Sequence, residues 1–577
     1  MDGATELGIV MRASRILVVL TLLIAPPGAH GQQAQQDVAP PLDAACAVSA
    51  DERWTPQEKF VWERVCVGEI ANFNAAPGYG GKLDPTKPAD WPQSRVLRPA
   101  FLEAILLKDP YRRALTRRGV IIVGARFVET IDLASADLQH QLVLAFSLVE
   151  HDADFSRLKS RYELDITDSK VAGAVKLNAV DLDASLVLTH GEFAVLDLTS
   201  AHVGGQVTLA GSKVAGDVRL GGLRAGSLFM GGAELSGVEL AYAHVGFLTL
   251  DNTKATGRLH MSSLRVDETL SLDGGRFAEV DLTGLRVDQH LLMRDAKFAD
   301  VKLNSAHVGG FLSLVKSRVA GDLTCLGLEV EQQVIMIGAT FDGSIDCHTA
   351  KIGSNLYLAG QFKKEVDFTG ADIGGGLAVD GSQGVSLALR NTKIGIIPDL
   401  ADTWPPALEI DGLTYRSVVA ADKFEDWFRR TDHYAPQPYE QLAAVVQSQG
   451  NTTLATAIRY AGRERERSEA KGGTWAWLTV LKWMIGYGYH PEQSILWALG
   501  LVAVGAIVLR ISGEGPRNGM PYGLAYSFDI LLPAIRLRDK HYAIDLTGWA
   551  RYYFYLHRIM GFLLASFLIA GVSGLTK

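Results

Sequence analysis

Residues 200–220 read SAHVGGQVTLAGSKVAGDVRL, and this stretch limits the fold more than any other feature. A small residue, a variable one and a branched apolar one (Ala201-His202-Val203, then Ser212-Lys213-Val214) recur eleven positions apart, each followed by an alternating apolar pair (Val207-Thr208-Leu209, Val218-Arg219-Leu220). The pair, Val/Leu/Ile-x-Leu/Met with Cys, Phe or Val second in some later copies, continues at steps of ten or eleven from a centre at 176 to one at 378. In an extended edge, residues i and i+2 point the same way, so both apolar members face inward and x faces out. The apolar triplet is too short for a helix. Four edges of about five residues close a coil of about twenty-one, which buries its interior only by stacking on its neighbours. The fold class expected is mainly β: a right-handed quadrilateral parallel β-helix over 120–397.

Composition agrees. Glycine is 59 of 577 residues, above the usual ~7% and without a collagen period, so turns are frequent. The net charge of -8 speaks against a nucleic-acid partner.

The edges Ala136-Asp137-Leu138 and Ala153-Asp154-Phe155 resemble the A-D/N-L/F unit of pentapeptide-repeat proteins. The resemblance is degenerate: coil steps are often 21 or 22, and Asp or Asn is uncommon at the middle position. It implies the fold rather than an activity. The acidic DNA-mimicking surface of some members is not matched here.

Taking every second pair gives an uncharged outward face, Val187, Thr208, Phe229, Thr249, Ser271, Leu292, Ser313, Ile335, Tyr357 and Ala378. Its row of Phe229, Leu292, Ile335 and Tyr357 is expected to form an apolar binding patch, covered by the chain's own flanking segments or by another chain. The opposite face is charged (Lys176, Asp197, Arg219, Glu239, His260, Asp281, Lys302). The remaining two faces read as basic ladders, one with His202, Arg224, His244, Arg265, Arg286, His307 and Lys351, the other with Lys213, Lys254, Arg276, Lys297 and Arg318. They are either a site for an anionic polymer or solvated surface neutralised by Asp217, Asp267, Asp273 and Asp288.

The flanks differ in kind. Arg12 and Arg15 precede the apolar run 16–25, with small residues at 29–31, so residues 1–31 read as a signal peptide. Residues 44–118, with EKFVWERV and RPAFLEAILLKDPYRRALTRRG, read as a helical N-terminal cap, and 398–470 as a helical cap or hairpin with Asn451 as an N-cap. Residues 471–577 read as a membrane module with spans at about 491–511 and 552–575, an interfacial helix carrying Trp475, Trp477 and Trp483, and a segment at 522–537 that is re-entrant or lies on the surface. Export of the solenoid leaves Arg510, Arg517, Arg536, Arg538, Lys540 and Arg551 inside, as the positive-inside rule asks. Cys46 and Cys66 are disulfide candidates in an exported chain. Cys325 and Cys347 each replace the second apolar residue of a pair and are expected to pack as buried thiols.

This arrangement, with YAPQPYEQLA, GYGYHP and YSFDILLP, is similar to a group of bacterial membrane proteins with pentapeptide-like repeats, which implies an envelope protein. The function expected is a non-catalytic scaffold or binding protein, held at the bacterial inner membrane and presenting a periplasmic β-helix to a protein or anionic glycan. No nucleotide loop, redox motif or metal-ligand spacing is found, so no cofactor and no metal is expected. The alternatives are a carbohydrate-active β-helix enzyme using Asp281, Lys302 and His260 on adjacent coils, and a channel or transporter subunit.

Overall fold

The computed structural model describes residues 46–572 apart from 381–383, 401–402, 491, 521–522 and 533–535. The chain divides into Met1–Cys46 and Ala47–Lys577, and the second unit is described below. The signal-peptide expectation for 1–31 lies outside the described residues.

From Val120 the chain winds into a parallel β-solenoid of about 14 turns. Four short edges per coil are plain where strands are brief, as in Lys254–Ala255, Leu259–His260, Arg265–Val266 and Leu270–Ser271. Elsewhere two edges fuse across a bend, as in His202–Thr208. The inward columns are in register and buried: Val218, Val238, Leu259, Val280 and Val301 follow one another on successive coils. Each such side chain contributes roughly 1.5–3 kcal/mol on burial. Corners are made in two ways. A left-handed residue recurs every ten or eleven positions (Ser200, Gly211, Gly222, Gly232, Tyr242), and glycine takes this conformation without steric cost. At Gly204 the backbone passes so close to the Asp183 carbonyl that a Cβ would overlap it.

Small hydroxyl residues inside the corners satisfy carbonyls that the ladders leave open. Thr253 donates to Met230 O at 2.7 Å, and Thr392 donates to Phe368 O at 2.8 Å.

Three expectations need correction. Cys325 and Cys347 are buried but not as thiols: they form a disulfide. They lie 22 residues apart, one coil, and the register Leu323↔Ile345 and Thr324↔Asp346 sets the two side chains against each other. Cys46 and Cys66 are each disulfide-bonded, and no described cysteine is free. Second, the solenoid does not stop at 397. Ala407–Glu409 pairs with Ser386–Ala388, and Thr414–Ala420 pairs with Lys393–Asp399. The loop carrying Pro405 and Pro406 interrupts the sequence spacing without ending the coil. Third, 44–118 is only partly helical. Helices α1 (Pro56–Val65) and α2 (Pro99–Leu107) are joined by a mostly irregular stretch in which Ala71–Asn72 adds a parallel edge to Ile122–Val123. That stretch is organised by fully buried Arg95, which donates to Tyr79 O, Asn74 Oδ1, Phe73 O and Gly124 O.

After the last edge, α3 (Pro436–Ser448) and α4 (Thr452–Glu469) form a hairpin, with Asn451 Oδ1 accepting from Leu454 N at 3.0 Å. Gln437, Gln441 and Gln449 donate to the carbonyls of Leu413, Tyr415 and Val418, so the carbonyls of the exposed edge are partnered by side chains. Helix α5 (Gly472–Ile485) follows, with Trp475, Trp477 and Trp483 exposed. Helices α6 (Glu492–Ile511) and α8 (Gly548–Val572) are long and apolar enough to cross a membrane. Their apolar residues are largely exposed, Leu496 at 68% and Ile569 at 67%, unlike those of a core helix.

Candidate functional site

The solenoid converts sequence period into straight ladders, so each face can be read residue by residue. His202, Arg224, His244, Arg265, Arg286 and His307 do stand on successive coils. The ladder then passes through Glu329 before Lys351. Most of its charge is matched locally: His244 Nε2 lies 2.8 Å from Asp267, Arg265 3.7 Å from the same carboxylate, Arg286 3.5 Å from Asp288, and Lys351 2.7 Å from Glu329.

The second ladder is not uniformly basic. Its order is Lys170, Glu192, Lys213, Glu234, Lys254, Arg276, Lys297, Arg318. Glu192 and Glu234 fall at the same outward position, although the sequence reading counted only cations there. Lys254 Nζ sits 2.9 Å from Glu234, whose carboxyl it holds below the usual carboxylate range. Arg318 pairs with Asp342 at 2.7 Å. Between them Arg276 and Lys297, exposed on adjacent coils, have no ion pair among the described residues. Beside the Lys170–Lys254 half, the small side chains of Ala172, Ala194, Ala215 and Ser236 leave a trough of about 670 Å³ along the solenoid.

The apolar row is not the contiguous patch expected. Thr249 and Ser271 separate Phe229 from Leu292, and Ser313 separates Leu292 from Ile335; only Ile335 and Tyr357 are direct neighbours. All four are half-buried, Phe229 partly by Phe247 on the next coil with ring centres 5.8 Å apart. The main helix contacts on the solenoid lie near its two ends, where α2 packs on Ile131–Asp132 and Asp137–Leu138 and α3 on Thr414–Ala420. Side chains stacked ~4.8 Å apart cover part of one another's flanks.

His260, Asp281 and Lys302 do stand on adjacent coils, yet each is engaged elsewhere. His260 Nδ1 is 2.7 Å from Glu239, and Lys302 Nζ is 2.7 Å from Glu279. Asp281 is buried, which pushes its pKa up, but Thr283 and the Arg258 guanidinium outweigh burial and hold the carboxyl below its ordinary value. An acid held ionised in this way is a poor proton donor at neutral pH.

Two features lie outside the ladders, the first unforeseen and the second given by the sequence only as re-entrant or on the surface. The first is a joint between the solenoid's last helices and α5. Glu464 on α4 accepts hydrogen bonds from Arg467, from Lys482 on α5 at 2.9 Å and from the Tyr487 hydroxyl at 2.9 Å. The Arg467 guanidinium, with Lys482 and Tyr487, holds its pKa at about 2. An open pocket of about 810 Å³ adjoins it, with Phe428, Tyr439, Tyr460 and His490 in its walls.

The second is α7 (Leu524–Leu531), which runs between α6 and α8. A Cβ at Gly523 would meet Leu509, one at Gly505 would meet Ser527, and one at Gly561 would overlap the Leu531 carbonyl. Helix α7 thus starts level with the last turn of α6 and ends near its midpoint. The chain then doubles back. Buried Asp529 accepts from Leu537 N, Arg538 N and His541, and Tyr542 donates to its carbonyl. Ser527 and His557 are buried together, with His557 Nε2 3.0 Å from Ser527 O. The signal in the sequence was a lone acid in an apolar octet; its histidine partner twelve residues on was overlooked. Comparison of the chain with protein-family models, characterised proteins and solved structures gave no match.

Proposed function

We propose that the chain is a non-catalytic binding scaffold of the bacterial envelope, anchored in the inner membrane by α6 and α8. Its right-handed solenoid, closed at both ends by helical segments, stands on the periplasmic side and holds an extended anionic polymer, a glycan, along Lys254, Arg276, Lys297 and Arg318. The observation that carries the polymer reading is Arg276 and Lys297. They are exposed cations one coil apart without a carboxylate partner among the described residues, on a surface where most cations are paired. A ladder repeating every ~4.8 Å suits a ligand that itself repeats, because each added unit meets another cation. Periplasmic placement is supported by the oxidised state of the cysteines, since disulfides persist in oxidising compartments and are rare in the cytosol. It is supported too by the arginines of the loop between the spans.

The test is binding of a sulfated glycan to the detergent-solubilised full chain, for the native sequence and for Arg276→Glu with Lys297→Glu. Each solvated charge contact is worth up to about 1 kcal/mol, so reversing two weakens binding roughly tenfold or more. Unchanged affinity, or affinity independent of salt, would refute the assignment.

A further inference from the structure

Helix α7 reaches only the midpoint of α6 and α8, so it fills one half of the gap between them and leaves the other half open. That half is an apolar crevice of about 340 Å³, lined by Ala498 and Val502 of α6, Leu531 at the end of α7, and Leu564, Ala565 and Leu568 of α8. Among the described residues its only hydroxyl is that of Ser494, which donates to the Met484 carbonyl. An apolar cavity excludes water and takes up apolar ligands instead. The volume is within the range of pockets that hold small ligands.

The inference rests on the reading of α6 and α8 as membrane spans, since it is the bilayer that supplies an apolar occupant. We infer that the crevice is a binding site for one acyl chain of a membrane lipid. The chain would lie between the outer halves of the two spans, above the tip of the re-entrant segment. Its polar head would fall near His490, which precedes the first residue of α6 and lines the joint pocket with Tyr460 and Phe428.

The full chain, reconstituted in phosphatidylcholine vesicles doped with a phosphatidylcholine carrying a diazirine on one acyl chain, is irradiated and the labelled peptides are mapped. Label concentrated on Ala498, Leu564 and Ala565 over the outward-facing Leu496 and Ile507 is expected. Filling the crevice with Ala498→Trp and Ala565→Trp should lower the crevice label severalfold and leave the outward label in place. Crevice positions labelled no more than outward ones in the native protein would overturn the site while leaving the spans intact. Absence of label from both helices would overturn the membrane reading itself.

Discussion

Leu250 gives a quantitative test of the columns. Its neighbours in register are Met230 and Leu272 on the coils before and after, and all three are buried to 1% exposure or less. Leu250→Ala removes a side chain from a column that cannot collapse, because the coil spacing is set by backbone hydrogen bonds. The cost is about 3 kcal/mol, near the low end of measured leucine truncations. A solenoid is stabilised coil by coil and by nearest neighbours, so the loss acts locally. The coils spanning 230–272 should open more often while distant coils hold. At 1.4 kcal/mol per factor of ten, local opening rises about 100-fold. Hydrogen exchange in the detergent-solubilised full chain reads this directly, as faster exchange at amides 228–272 and unchanged exchange at 320–378. Thr249→Ala, one residue away on the outward side, should change exchange by less than about 0.5 kcal/mol. Equal acceleration by the two substitutions, or acceleration spread evenly over the solenoid, would refute the inward assignment.

At neutral pH, Glu464→Gln should speed exchange in α5, since a neutral amide cannot replace the carboxylate that Arg467, Lys482 and Tyr487 hold. The native joint has a carboxyl lowered from 4.5 to about 2, so its contribution is complete above pH 4.5 and fades as pH falls toward 2; exchange in α5 indifferent to pH across that window would count against the joint. A cysteine-reactive polymer added to the denatured, unreduced chain should find no thiol, and four after reduction; label mapped to Cys325 and Cys347 before reduction would contradict their bond. In intact spheroplasts an impermeant thiol reagent should label Arg318→Cys and not Arg517→Cys, and the reverse pattern would place the solenoid in the cytoplasm.

The period of ten or eleven, taken with the alternation of apolar and variable residues, determined the solenoid and which residues face inward, because a strand's side chains alternate whatever surrounds them. It also placed cations and acids on definite faces, and the apolar runs marked α6 and α8. Charge neutralisation was not legible. Whether Arg265 meets Asp267 while Arg276 meets no carboxylate among the described residues depends on side-chain reach between coils, and Glu192 and Glu234 entered the second ladder only once the register was seen. The Cys325–Cys347 bond was half-legible, since a separation of 22 is one coil, but pairing required the two edges to stack without a slip. The placement of 523–532 was decided by tertiary structure alone. An apolar octet with one acid is equally at home on a surface or between helices, and only packing against Gly505 and Leu509 of α6 and Gly561 of α8, with His541 brought back onto Asp529, selects the second. Local pattern sets a residue's face because geometry repeats along the strand, whereas partners are chosen by whatever the rest of the chain brings within a few ångströms.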